Sequence, residues 1–155
     1  MARKESITKN DIINAAFAIL QEEGIEQVTA RKLAAKAGCS TQPIFRVYKN
    51  MEELAEDLFA KACDFFQDYY SGFQKQTVTP FVHLGNIYIK FAAEHKKLFA
   101  FIFLSENRFG RSMYDLIPDD MRRHYDEGGK KCPLYYVEHE DAWEQFLEDL
   151  TEYIS

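Results

Sequence analysis

The chain of 155 residues is short of the features that would tie it to a membrane, an oxidising compartment or a β-rich fold. Its three cysteines, Cys39, Cys63 and Cys132, are an odd number at wide spacing. Such a set makes no disulfide framework and points to a reducing cytoplasm. No apolar run reaches the roughly 18 residues that span a bilayer, so no membrane partner is expected. The opening "MARKESITKND" has no apolar stretch behind its charges and does not read as a secretory signal. There is no glycine-rich phosphate loop and no serine–histidine–acid arrangement, so neither a cofactor nor enzymatic turnover is expected. His124, Cys132 and His139 lack metal-ligand spacing, which leaves no metal site. No β-hairpin signal appears, and the punctuation is mostly that of helices.

A local absence is more informative. Residues 33–50, "LAAKAGCSTQPIFRVYKN", contain Lys36, Arg46 and Lys49 but no acid, although the chain carries a net charge of −6. Residues 1–50 hold eight Lys/Arg against five Asp/Glu, or +3, and residues 51–155 hold eleven against twenty, or −9. A basic module on an acidic body fits a polyanion bound at one end. On charge alone, a solvated basic face fits equally well.

The punctuation predicts an all-α fold. Thr8 can cap a helix that runs to about Glu23, with Ile12, Ala16, Ile19 and Leu20 near one face and Gly24 as a left-handed stop. Thr29 can cap a second, short helix that ends at Gly38, and Ser40 a third. Pro43 then falls in a first turn, where a missing N–H costs little. Asn50 and Glu53 resemble a capping box that opens a long helix. Thr79-Pro80 restarts the chain as a helix through Ile87 and Phe91. A break near His95 precedes "KKLFAFIFL", read as helix, although "FAFIFL" alone also suits a buried strand. Pro118 and Gly128-Gly129 bracket a further short helix.

Two short helices joined by "GCS" are too short to stand alone and need packing partners. Leu33, Ala34 and Ala37 face inward on the first, and Ile44 and Val47 on the second. Ala34 lets the helices cross closely, and Gly38 supplies the turn. A small residue, a turn glycine four later, and branched apolar residues six and nine after that form the helix-turn-helix pattern. Thr41, Gln42, Phe45, Arg46 and Lys49 are left facing outward, with Tyr48 at the edge. Gln42 can pair with adenine and Arg46 with guanine, and Pro43 or the Thr41 methyl can touch a thymine methyl. Thr29, Ser40, Tyr48 and Lys49 lie near helix ends and can hold phosphates. Arg3, Lys4 and Lys9 add charge towards the backbone of a duplex.

On these residues the stretch 7–54, "ITKNDIINAAFAILQEEGIEQVTARKLAAKAGCSTQPIFRVYKNMEEL", resembles the DNA-binding domain of TetR-family transcriptional regulators. Phe45 stands where the family often has a phosphate-binding tyrosine, so its phosphate contact lacks the hydroxyl bond. Met51 stands where a lysine is usual, and the resemblance passes that phosphate role to Lys49. The implied architecture is a helix-turn-helix domain, residues 1–50, followed by a helical regulatory and dimerisation domain, residues 51–155. The segment "PFVHLGNIYIKFAAEHKKLFAFIF" is similar to the sixth and seventh helices of one branch of the family.

Twenty of the twenty-three aromatic residues lie after position 50. Large rings leave gaps unless closely matched, so this body can hold a cavity for a small apolar or aromatic effector. Phe66, Tyr70, Tyr88, Phe91, Phe103 and Tyr114 are its candidate lining, with His83 and His95 as polar handles. The alternative is that the rings simply fill the core. A homodimer through the stripe Trp143, Phe146, Leu147, Leu150 and Ile154 is expected. The whole reads as a one-component regulator, a repressor, that binds a palindromic operator in double-stranded DNA. The competing reading is a protein-interaction module that uses the helix-turn-helix only as scaffold.

Overall fold

A computed structural model describes residues 6–73, 80–119 and 122–123. Among them every regular element is helical. Helix α1, Lys9–Glu23, begins at a reciprocal cap. The Thr8 hydroxyl oxygen accepts the Asp11 N–H at 3.1 Å, and the Asp11 carboxylate accepts the Thr8 N–H at 2.8 Å. Ile12, Ala16, Ile19 and Leu20 are buried along one face, as their spacing predicts. The helix stops at Gly24, with φ 95° and ψ 170°. This is not the left-handed helical stop expected from the sequence but an extended positive-φ conformation open essentially to glycine.

A single 3₁₀ turn, Ile25–Gln27, leads to α2, Ala30–Ala37. Thr29 caps α2 through the Lys32 N–H at 3.3 Å. At its end Gly38 adopts φ 70° and ψ 33°. Its N–H reaches Ala35 O at 3.3 Å and the Cys39 N–H reaches Ala34 O at 3.0 Å. That bond pair defines a Schellman stop. A Cβ on Gly38 would meet nothing within 4 Å, so the backbone angle, not crowding, favours glycine there.

Helix α3, Gln42–Val47, starts later than the proposed Ser40 cap implies. Thr41 occupies the cap position with helical angles and no side-chain bond, and Pro43 lies in the first turn. Helix α4, Met51–Ser71, opens on Asn50, whose side chain accepts the Glu53 N–H at 2.9 Å. The Glu53 carboxylate accepts the Lys49 N–H at 2.6 Å, one residue ahead of the bond an ideal capping box would make. Helix α5, Pro80–Glu94, ends at the break expected near His95, where φ is −131° and ψ is 56°. Helix α6, Lys96–Phe99, runs into a wide π turn, Ala100–Leu104, so "FAFIFL" is helical and not a strand. Helix α7 is Met113–Leu116. The Thr79 cap and the segment ending at Gly128-Gly129 lie outside the described residues.

The chain divides into two compact units. The first draws on Met1–Phe66 and Phe91–Phe109. Here α1 packs against α2, α3 and α6. Leu33, Ala34 and Ile44 are buried between the short helices and α1, as expected, while Ala37 and Val47 are half-buried at the margin. Each fully buried large aliphatic side chain contributes about 1.5–3 kcal/mol relative to exposure, which is how helices this short are held. Farther along, Phe59 meets Phe101 edge to face at 5.3 Å. Phe66 meets Phe91 at 5.0 Å and Phe103 at 5.2 Å in the same manner. The second unit draws on Gln67–Lys90 and Gly110–Ser155. Its described core includes Tyr70, Leu84, Ile87, Leu116 and Ile117, and the Gln67 amide donates to Leu116 O at 3.4 Å.

Candidate nucleic-acid interface

Helix α3 is anchored from below and bare above. Ile44 is fully buried, whereas Thr41, Gln42, Phe45, Arg46 and Lys49 are exposed and Pro43 is half-buried. Phe45 shows 49% of its surface, the one large aromatic ring so exposed among the described residues. The cations nearby fall into two groups. On α2, Lys32 pairs with Glu23 and Lys36 with Glu22 at 3.6 Å, so the acids of α1 neutralise them. The head groups of Arg46 and Lys49 make no ion pair among the described residues. Arg31 of α2 makes none either, so three exposed cations in and just after these two short helices keep their positive charge.

The residues read as phosphate contacts fare unequally. Thr29 and Ser40 are exposed. The Thr29 oxygen already accepts the Lys32 N–H, which leaves its hydrogen able to donate outward. Lys49 has its backbone N–H committed to Glu53 and its ammonium in solvent. Tyr48 departs from the expectation. Its side chain is 1% exposed and its hydroxyl donates to the Asp57 carboxylate at 3.0 Å, so it is an interior residue in this state and not an edge residue open to phosphate. The cause is tertiary: an acceptor on α4, nine residues on, draws the ring inward. Lys9 is likewise engaged, bonded to Asp57 at 2.9 Å and lying 5.2 Å over the Tyr48 ring. Arg3 and Lys4 lie outside the described residues.

This group perturbs its own titration. The Lys9 ammonium, then the Tyr48 hydroxyl, hold the Asp57 carboxyl below the usual carboxylate range. Asp57 in turn raises Lys9. Burial first, and the Asp57 carboxylate second, push the Tyr48 phenol well above its usual value. Because Asp57 is depressed, its contribution to folding is full above the ordinary carboxylate pKa and fades as pH falls through the lower folded value. Nothing local in the sequence signals that residues 9, 48 and 57 meet.

The candidate effector residues are divided between the units. Phe66, Phe91 and Phe103 belong to the first and pack ring against ring. His95 lies in the same unit, 5.1 Å from Phe65 and 5.2 Å from Phe91. Tyr70, Tyr88 and His83 belong to the second unit. There a cavity of about 370 Å3 is lined by Gln67, Tyr70, Ser71, Phe73, His83, Pro118, Asp119 and Arg123. Tyr70 and His83 therefore share a cavity, with their rings 5.7 Å apart. Its lining is more polar than the aromatic composition of the body suggests. The side chain of Tyr114 and the residues Trp143, Phe146, Leu147, Leu150 and Ile154 lie outside the described residues, as do His124, Cys132 and His139.

Among the described residues, no group of three or more His, Cys, Asp or Glu is arranged to hold a metal ion. No described helix is long and apolar enough to cross a membrane. Residues 12–58 match the family model described as "Bacterial regulatory proteins, tetR family". The matched stretch contains all of α2 and α3, with most of α1 before them and the start of α4 after them. No curated protein and no solved structure matches the chain.

Proposed function

We propose that this chain, which belongs through residues 12–58 to the tetR family of bacterial regulatory proteins, represses transcription by occupying a palindromic operator as a homodimer. The observation that carries the reading is the exposed face of α3, which keeps Gln42, Phe45 and Arg46 outward while Ile44 anchors the helix, with exposed Lys49 just beyond its end and both cations unpaired among the described residues. An α-helix fits the major groove, and these side chains supply what its edges ask for. Gln42 reads adenine, Arg46 reads guanine, and Thr41 and Pro43 meet thymine methyl groups. Thr29, Ser40 and Lys49 bind phosphates, and the Phe45 ring packs along the sugar–phosphate backbone.

One short helix makes few contacts, so a second copy is needed for tight binding. Two recognition helices about 34–36 Å apart, or a multiple of that, read both halves of an inverted repeat at once. In this reading the stripe from Trp143 to Ile154 joins the copies. A small apolar or aromatic molecule held by the body beyond residue 50 releases the operator by favouring the wrong spacing. A preference of about 2.7 kcal/mol between the two conformations suffices for a hundredfold loss of affinity.

Selection of bound duplexes from a random-sequence pool tests this reading. Inverted repeats are expected, with half-sites about 10 base pairs apart or a multiple. Recovery of single, unrepeated sites would contradict the dimer. Recovery of no sequence at any ionic strength would contradict DNA reading and leave the interaction-module alternative.

A further inference from the structure

Tyr48 is where three helices meet. It follows α3 in extended backbone, with φ −111° and ψ 130°, and its N–H closes the last turn on Ile44 O at 2.9 Å. Its ring is almost wholly buried. Its hydroxyl donates to Oδ2 of Asp57, in the second turn of α4. The same oxygen receives the ammonium of Lys9, the first residue of α1, which also lies over the Tyr48 ring. One carboxylate oxygen thus ties together the start of α1, the end of α3 and the first turns of α4. A buried phenol left without an acceptor is costly, so the bond selects one position of the ring and of the chain that carries it.

Only Val47 separates Tyr48 from Arg46, and Lys49 follows it directly. The same tie therefore governs where both exposed cations point. We propose that Lys9, Tyr48 and Asp57 form a clamp that sets the angle at which α3 is presented, making all three positioning residues for operator binding. This rests on the DNA-reading function proposed above. None of the three needs to touch DNA in this role. The competing assignment makes Lys9 a phosphate contact in its own right, with Asp57 merely drawing on its charge.

The two assignments give opposite signs for Asp57→Asn. Under the clamp, the amide accepts weakly from Lys9 and Tyr48, α3 loses its fixed angle, and affinity for the selected duplex falls by about tenfold, the size of one charge-assisted hydrogen bond. Under the competing assignment, removing an acid beside a phosphate-binding lysine tightens binding. Tyr48→Phe, which removes one oxygen and keeps the ring, lowers affinity under the clamp. Tyr48→Phe combined with Asp57→Asn is no weaker than the worse single variant.

Salt dependence supplies a readout that stability alone does not move. Lys9→Met weakens binding with an unchanged salt slope if Lys9 is a clamp residue, whereas loss of a phosphate contact shrinks the slope by about one. All affinities are compared at a temperature where circular dichroism shows each variant fully folded. Tighter binding by Asp57→Asn, a reduced slope for Lys9→Met, or wild-type affinity in all the fully folded variants would each overturn the clamp. The contact is also testable without DNA, by urea unfolding of the full chain. Non-additive midpoints for Tyr48→Phe and Asp57→Asn support it, and additive ones overturn it. Should the wild type bind no duplex, the DNA reading fails, and the unfolding cycle still decides whether the clamp holds the helices.

Discussion

Arg46→Ala will flatten the preference of the protein among operators, whereas Lys49→Ala will weaken its grip on all of them alike. Both side chains are exposed and carry no ion pair among the described residues, so neither replacement disturbs a folded contact. Arg46 lies in the last turn of α3, on the face opposite buried Ile44. A guanidinium there can make two parallel bonds to the N7 and O6 of one guanine, an arrangement that no other base offers. Its loss removes about 1–3 kcal/mol of discrimination at that one position of each half-site. Lys49 follows the helix, and in the proposed reading its ammonium acts on a phosphate as a point charge. Its loss lowers affinity for every sequence and reduces the salt slope by about one per subunit. Titrations on base-substituted duplexes, each at two salt concentrations, separate the two effects. Equal losses on every sequence for both variants would reverse the assignment.

The second large effect is on folding. Ile44→Ala will destabilise the first unit by about 2–5 kcal/mol, read as a shift of the urea midpoint. Ile44 is fully buried beneath a helix of six residues. Such a helix has too few internal hydrogen bonds to persist by itself and is held by what it packs against. Removing the anchor both opens a cavity and releases α3. Gln42→Ala, on the exposed side of the same helix, is the control and should move stability by no more than about 0.5 kcal/mol. An Ile44→Ala midpoint equal to that of Gln42→Ala would show that α3 does not rest on this residue.

What could be read from the sequence divides along a physical line. The caps at Thr8, Thr29 and Asn50 were legible because their bonds close within three residues. Gly38 was legible because the stop it makes is set by one backbone angle. Local pattern does not separate Ser40 from Thr41 as the start of α3, since either hydroxyl satisfies it, and in the structure Thr41 holds the cap position without a side-chain bond. "FAFIFL" was ambiguous because six apolar residues in a row carry no period, and its surroundings made it a wide helical turn.

The candidate interface followed the same division. Outward placement of Gln42, Phe45, Arg46 and Lys49 came directly from helical spacing about Ile44. The inward turn of Tyr48 is not encoded by helical spacing, because it depends on Asp57, a partner nine residues away on α4. The bond between Lys9 and Asp57 has the same tertiary origin and leaves no local mark in the sequence. The aromatic wealth of the body was plain, yet its division between two units was not. Phe66 and Tyr70 stand one helical turn apart on α4 and fall into different units, and no periodicity encodes where such a boundary falls.

Guanine N7 methylation interference on the selected duplex tests most directly whether the outer face of α3 enters the major groove. Methylation of one guanine per half-site should block the wild-type protein, and that block should vanish in Arg46→Ala. Equal binding of methylated and unmethylated duplexes by the wild type, or no binding of either at low ionic strength, would contradict it.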